Sequence, residues 1–433
     1  MVSFLVGFAV RAYWTLRVQS PLTAVYSDMG GYVSRAESLL AGTTPSEPRI
    51  LLMWPWGTHY IVAVELAILG RHDPFTIGLV HAFAGAIAAP CAALITARFV
   101  RSRLTVAVAG LLVALWHPHI TYSGLFSSEI WFSTALMLLT LFLVRHFEGR
   151  WGGLGAGLSL AVAFAVRPQI LMTLGMVGAV LVVVWLRRPY RRPRQGVIRF
   201  ALPLVIPLLL TMAFSSYRFH RLTGEYGLIA SNEAAQRLFG ETSVGKIDAA
   251  WTAPDGSNWT WWVSPSTKQP VKPENAVFIR GFVYDKKLLA NVRAERLRGV
   301  TRWQRLARMA DNVALLVVKN LPWPESDFRR YAFRDRLQHQ FAIALLPVLA
   351  FCAIGLAFLD RHRIAALIIA SNLLTIVIVA AIYLGEVRYR VPYDPLIIVV
   401  ASVGAHAVLQ GAARLLRRLR TPPRVAAVSV PTP

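Results

Sequence analysis

Cysteine is nearly absent from this chain. Two occur among 433 residues, Cys91 and Cys352, and both sit inside apolar blocks, where they read as inert core residues. Acid is scarce as well: 22 Asp and Glu stand against 46 Lys and Arg, a net charge of +24. A basic chain suggests nucleic acid at first sight. No zinc-ligand spacing or RNA-binding signature supports that, and the arginines fall mainly between apolar blocks, as cytoplasmic loops require, and in one long loop. No small-residue cleavage site follows the apolar N-terminus, and Arg11 and Arg17 lie on the wrong side for a signal peptide, so the segment reads as a retained first helix. The sequence shows no repeat of halves, and no low-complexity tract beyond the Pro-containing tail after Arg420.

What the chain has is hydrophobic residues, 55% of the total, in long blocks rather than in alternation. That pattern predicts an all-α polytopic membrane protein. About ten spans fit, some broken by Pro or Gly: 1–16, 76–99, 104–116 continuing toward 122, 130–145, 152–166, 170–186, 200–214, 341–359, 364–384 and 392–409. The organisation read from them is an N-terminal transmembrane module (1–214) with a first outer loop at 17–75. A large loop domain (215–340), C-terminal transmembrane helices (341–412) and a basic cytoplasmic tail (413–433) complete it.

Positive charge sets the orientation. Arg98, Arg101 and Arg103, then Arg145 and Arg150, then the run from Arg187 to Arg194, then Arg361 and Arg363, and last Arg414 to Arg420 all fall on one side in a ten-span arrangement, the cytoplasmic side. The opposite side then collects Asp28, Glu129, Arg167, the 215–340 loop and the stretch from Glu386 to Arg390. Nearly all the carboxylates near a membrane boundary therefore face outward together. Within the loop, 251–272 reads as irregular, and 276–319 as two arginine-rich amphipathic helices. Asn258-Trp259-Thr260 fits a glycan sequon, a single match of the kind chance supplies.

Four outward clusters carry chemistry. Asp28 opens a short helix on which Tyr32 and Ala36 share its face, with Gly42 as a stop. Ser127-Ser128-Glu129 opens the fourth span, Arg167-Pro168 breaks a helix, and Glu386-Val387-Arg388-Tyr389-Arg390-Val391-Pro392 opens the tenth. Each has a plain alternative: Asp28 as an N-cap, Glu129 as an acid matching the helix dipole, Arg167 as a snorkelling boundary residue, and Arg388 and Arg390 as interfacial anchors. In an extended segment Arg388 and Arg390 share a face and can clamp an anion together. Charged groups at membrane depth generally line wet cavities, and outward arginines oppose the positive-inside bias. A carboxylate among arginines suits a lipid-bound phosphate as leaving group: the arginines bind the phosphate and the carboxylate takes a proton from an incoming hydroxyl or amine.

The order of Arg11, Asp28, Tyr32, Ala36, Leu39, Leu40 and Gly42, followed by Trp54-Pro55-Trp56-Gly57-Thr58-His59, Ser128-Glu129, Arg167-Pro168 and Glu386 to Pro392, resembles the membrane glycosyltransferases of the C-type fold. These use polyprenyl-phosphate sugars; dolichyl-phosphate-mannose protein mannosyltransferases and lipid A aminoarabinose transferases are among them. The resemblance covers nearly the whole chain, and the order of its motifs carries it. It implies that Asp28 is the catalytic base or the group that positions the acceptor. One departure stands out: protein mannosyltransferases carry Asp-Glu where this chain has Asp28-Met29, which leaves the acceptor open. Some relatives hold a divalent ion by the first-loop carboxylate, so a divalent metal is the candidate cofactor. His59, His117 and His119 show no recognisable ligand spacing, and His117-Pro118-His119 reads as a span terminus with interfacial residues.

The expected function is an inverting transfer of a sugar from a polyprenyl-phosphate donor to a saccharide, lipid or protein acceptor at the outer face of the plasma membrane. Asp28 is the base and Glu129 the second acid. Arg167, Arg388 and Arg390, with Arg11 and Lys319 beside them, take the donor phosphate. Tyr32, His59, Glu386 and Tyr389 line the substrate site. A transporter or flippase of a lipid-linked saccharide is the alternative, although transporters place binding groups at the midplane and show repeated halves. A scaffold whose loop binds a partner has no need of a first-loop carboxylate.

Overall fold

The computed structural model describes residues 1–23, 25, 28–43, 51–70, 73–187, 194–230, 233–242, 249–252, 277–280, 286–318, 329–359 and 363–420. Lys319, the sequon at Asn258 and most of the 251–272 stretch lie outside the described residues.

Helices dominate. From the N-terminus come α1 (Val2–Tyr13), which runs into a π turn at Trp14–Val18, α2 (Asp28–Leu40), α3 (Trp56–Leu69), α4 (Pro74–Ala86), α5 (Ala88–Thr96), α6 (Arg103–Ala114) and α7 (His117–Thr121). Next are α8 (Ser128–Phe147), α9 (Gly153–Val166), α10 (Ile170–Arg187), α11 (Arg194–Thr223) and α12 (Glu233–Thr242). After two short parallel strands, β1 (Ala249–Thr252) and β2 (Val277–Arg280), come α13 (Lys286–Arg296), α14 (Arg302–Val318), α15 (Arg329–Leu356), α16 (Arg363–Ile382), α17 (Val387–Arg390) and α18 (Asp394–Arg420).

Proline explains several of the interruptions. Pro90 has no N–H for the carbonyl four residues back, and the helix breaks between α4 and α5 at Ile87. Pro118 sits in the first turn of α7, where α6 and α7 meet at a 46° bend. Pro168 stops α9 by forcing Arg167 into an extended conformation, φ −147° and ψ 100°.

Five of the described helices are long and apolar enough to cross a bilayer, six if the bent α6–α7 pair is one span. All six coincide with expected spans. Four shorter apolar helices accompany them: Trp56–Leu69, Gly153–Val166, Ile170–Val183 and Ile343–Leu356. Three of these fall on expected spans; of them only α9, with 14 residues, is itself short, since the other two are parts of the longer helices α10 and α15. The fourth, α3, is a correction to the sequence reading, which held 17–75 as loop; its 14 residues rise about 21 Å, against a hydrocarbon core of about 30 Å. The first expected span is likewise a 12-residue helix plus a π turn.

Small residues set the helix contacts. α15 and α18 cross at Gly355 and Gly404, where an added Cβ would strike the carbonyl oxygens of Val400 and Phe351. On its other sides α18 packs against α5 and α6. Only 11% of the apolar window in α11 is buried, and Leu202, Leu209 and Leu210 project outward from it, as a lipid-facing helix requires.

Two apolar clusters position the site. One joins Met29 and Ala36 of α2 to Val62 and Leu66 of α3, Ile77 of α4, Phe126 and Ile130 at the start of α8, and Val387 and Val391 around α17. This floor brings three chain-distant segments to one place. The other docks α12 and α13, through Leu238, Phe239 and Leu289, onto Leu384 at the end of α16.

Candidate functional site

Above the first apolar floor lies a cavity of about 520 Å³. Asp28, Tyr32, Glu129, Arg167, Arg388 and Tyr389 all line it, so residues expected to act together from across the sequence do share one space.

α2 supplies the first two. Asp28 stands in its first turn, where the helix dipole favours a carboxylate. The helix ends as expected at Gly42: φ is +65°, Thr43 N–H bonds the Ser38 carbonyl at 3.0 Å, and Gly42 N–H bonds Leu39 at 3.3 Å, the Schellman pattern. Asp28 and Tyr32 line the cavity, while Ala36 turns into the floor; the shared face therefore extends over two of the three residues proposed for it.

Two carboxylate–guanidinium pairs face the space. Arg388 Nη1 donates to Asp28 Oδ2 at 2.9 Å, across 360 residues of sequence, and its Nε lies 2.7 Å from Glu386 Oε2. Arg167 Nη2 pairs with Glu129 Oε1. Arg167 also donates from Nε and Nη2 to Ser128 Oγ at 3.0 and 2.9 Å, and the Ser128 hydroxyl donates to Glu129 Oε2 at 3.3 Å. The Tyr389 ring stands beside both guanidinium groups, with centroid distances of 5.2 Å to Arg388 and 5.5 Å to Arg167. Burial pulls the Arg167 guanidinium down, and the Glu129 carboxylate together with Tyr389 and Tyr32 outweighs that, so it is held charged. Burial first, then Asp28 and Glu129, push the Tyr32 phenol up, so it stays protonated.

Four expected site residues lie elsewhere. Arg390 does not share a face with Arg388, because the segment is a helical turn rather than extended chain and residues two apart point away from each other. Its Nε donates to Asp394 at 2.8 Å and its Nη1 to the Leu316 carbonyl at 2.7 Å, while Trp116 Nε1 also donates to Asp394 at 2.7 Å. Arg11 is fully buried in α1. It donates to the Ala114 and Val113 carbonyls at 2.8 and 3.3 Å and meets His119 Nδ1 at 2.9 Å, capping the end of α6, where the Val113 carbonyl otherwise has a long bond from Trp116 N–H at 3.4 Å. His59 is buried beside Arg218 in a different cavity. Glu386 reaches the site through Arg388 rather than by lining it. His117 and His119 are buried, not interfacial.

Several lining residues had no sequence signal as site residues. Trp54 contacts Tyr32 with ring centroids 5.7 Å apart. Gln169 donates to the Tyr393 hydroxyl at 2.9 Å. Lys286 of α13 and Tyr383 after α16 close the far wall. That wall is pinned by Asn312 of α14, which is fully buried: its Nδ2 donates to the Gly240 carbonyl at 2.6 Å, and its Oδ1 accepts from Gly385 N at 3.4 Å. Gly240 and Gly385 admit this contact, since a Cβ on either would strike the Tyr383 or the Asn312 carbonyl. Asn312 thus ties α12 and α14 to the turn that leads into Arg388.

Among the described residues no three His, Cys, Asp or Glu side chains gather as a metal site. Asp28 and Glu129 each face a guanidinium where a cation would stand, so the donors as arranged make ion pairs rather than a metal cage.

Residues 58–223 match the family model of the dolichyl-phosphate-mannose-protein mannosyltransferases. The match spans Glu129 and Arg167 and bears out the resemblance read from the sequence, and with it a membrane fold that is helical apart from the short strands β1 and β2. Asp28 and Arg388 lie outside it. No curated protein sequence matches the chain. Among solved structures, the apo oligosaccharyltransferase of Archaeoglobus fulgidus is similar at 13% identity and a TM-score of 0.49, covering 96% of this chain. The same enzyme in complex with Zn and sulfate gives 13% identity and a TM-score of 0.47, covering 95%. This chain spans about half, 51%, of the length of that oligosaccharyltransferase. ArnT from Cupriavidus metallidurans bound to undecaprenyl phosphate gives 12% identity and a TM-score of 0.38, with 98% of this chain and 81% of that one covered.

Proposed function

We propose that this helical membrane protein is a glycosyltransferase that moves a sugar from a polyprenyl-phosphate donor to an acceptor hydroxyl or amine at the outer face of the plasma membrane. The observation that supports the reading best is the pair of carboxylate–arginine couples around Tyr389 in one cavity. The match to a family named for a lipid-phosphate sugar donor supports it further.

Arg388 and Arg167 bind the phosphate oxygens of the donor, with the Lys286 ammonium opposite. Asp28 takes the proton of the acceptor O–H or N–H. The acceptor atom bonds to the anomeric carbon as the bond from that carbon to phosphate oxygen breaks. Polyprenyl phosphate leaves with the bonding electrons, stabilised by the guanidinium groups. One displacement inverts the anomeric centre and needs one base. Ser128 and Glu129 hold Arg167 in place. The segment between α11 and α15 contributes α12 and α13 to the wall of the site. The arginine-rich loops between spans support the outward orientation.

The test is the purified protein in liposomes with radiolabelled polyprenyl-phosphate sugar. Covalent transfer to an acceptor supports the enzyme. Movement of the lipid across the bilayer without transfer would assign a flippase instead, and neither outcome would leave the scaffold.

A further inference from the structure

A second cavity, also of about 520 Å³, is framed by α2 and α11, with α3 between them. From α2 it takes Arg35 and Leu39, from α11 Phe214, Arg218 and Arg221, and from α3 His59. None of the described residues that line it is a carboxylate. This is unlike the first cavity, where Asp28 and Glu129 answer the arginines.

Its cations are held in place. The Arg35 guanidinium lies 4.1 Å over the Trp54 ring and donates to the Gly31 carbonyl at 3.2 Å. Burial, with the neighbouring Arg218 adding to it, pulls Arg35 down to about 10. Arg218 donates from Nη2 to the Leu51 carbonyl at 3.1 Å and approaches His59 Nε2 at 3.5 Å. The Tyr60 side chain also stands against this guanidinium, yet Nη1 is buried without a well-formed hydrogen bond among the described residues, and so is His59 Nδ1. A buried guanidinium nitrogen without an acceptor is costly, and an oxyanion would supply one.

We infer that the cavity between α2, α3 and α11 is a second anion site, which takes a phosphate-like oxyanion on the Arg218 and Arg35 guanidinium groups. The apolar side of the cavity, Leu39 and Phe214, gives an attached alkyl chain a wall to lie on, so the oxyanion is either a lipid headgroup or free phosphate. The site is distinct from the one proposed for the sugar donor. Trp54 faces the first cavity and carries Arg35 of the second on its ring, so the two share that stack as a partition.

Binding of inorganic phosphate and of dihexanoyl phosphatidic acid to the full-length purified protein, measured by calorimetry in low-salt detergent, tests this. Saturable binding is expected. Arg218→Gln should weaken the component from this cavity about tenfold or more, since a charge-assisted contact is lost; the first cavity, whose arginines also take phosphate, gives a separate component that Arg388→Gln removes while leaving this one unchanged. Equal affinities for the two probes assign free phosphate, and tighter binding of phosphatidic acid assigns a lipid headgroup. Should Arg218→Gln not fold, Arg221→Gln at the exposed rim is read instead, with a smaller loss expected. Absence of saturable binding in the wild type would overturn the site. So would binding that survives Arg218→Gln, or Arg221→Gln where that variant is the one read, and disappears in Arg388→Gln. A wild type that binds phosphate but transfers no sugar would retire the transferase and keep this site.

Discussion

Asp28 sits against Arg388, and that pairing decides what a substitution at either position should do. Asp28→Asn keeps the side chain's size and its hydrogen bond to Arg388, so the melting temperature should hold. Sugar transfer should fall about 10²–10⁴-fold through loss of the base, as measured by turnover of the radiolabelled donor. Transfer near the wild-type rate would remove Asp28 from the mechanism. Arg388→Ala and Arg390→Ala should separate cleanly, although one residue lies between them. Arg388→Ala should weaken donor binding by about 1.5–3 kcal/mol, read by calorimetry. Arg390→Ala leaves Asp394 buried without its guanidinium, a change of about 3–5 kcal/mol in stability. It should lower the melting temperature while the folded fraction binds donor normally. The opposite pattern would restore Arg390 to the site. Nothing in the sequence distinguishes these two arginines. Their roles diverge because the backbone makes one helical turn there, and a short arginine-rich stretch reads equally well as extended chain.

Asn312 is the equivalent test for the helices. It joins α12 and α14 to the Gly385 turn, and its two bonds hold the element that presents Arg388. Asn312→Ala should destabilise the protein by about 2–3 kcal/mol, through a buried carbonyl left unpaired and a lost packing contact. It should also reduce transfer, because α17 loses its support; a variant that melts lower but transfers normally would show that the loop helices merely cover the site. The helices themselves were legible to different degrees. Gly42 marked the end of α2, and Pro168 marked the break before α10, since both act through local backbone geometry. α3 was not legible, because Trp54-Pro55-Trp56-Gly57 looks like loop sequence and the helix begins only after Pro55. The approach of Asp28 to Arg388 was not legible as a contact either. It depends on the apolar floor of Met29, Ile130 and Val387, whose meeting no local pattern records.

Over the molecule as a whole, the strongest sequence signal was the asymmetry of charge between membrane-flanking segments, and it makes a prediction about sidedness. Cys91 and Cys352 are buried, so engineered thiols should label on a low background. In right-side-out vesicles a membrane-impermeant maleimide should label Lys286→Cys directly and Arg150→Cys only after permeabilisation. The reverse order would turn the cavity to the cytoplasm. Charge bias fixes which ends of the spans lie together, and for that reason it anticipated the gathering of Asp28, Glu129 and Arg167. It carries no information on depth, and so it also admitted Arg11, which is spent on the end of α6.

The tie between Asp28 and Arg388 has a consequence for timing. On the proposed chemistry, the arginine that must receive phosphate is the one that holds the base, so an empty enzyme keeps its base engaged. A donor that claims the guanidinium loosens the carboxylate in the same act. The reactive state is then assembled by the substrate it consumes, and water or a stray acceptor reaching the cavity beforehand meets a locked proton acceptor.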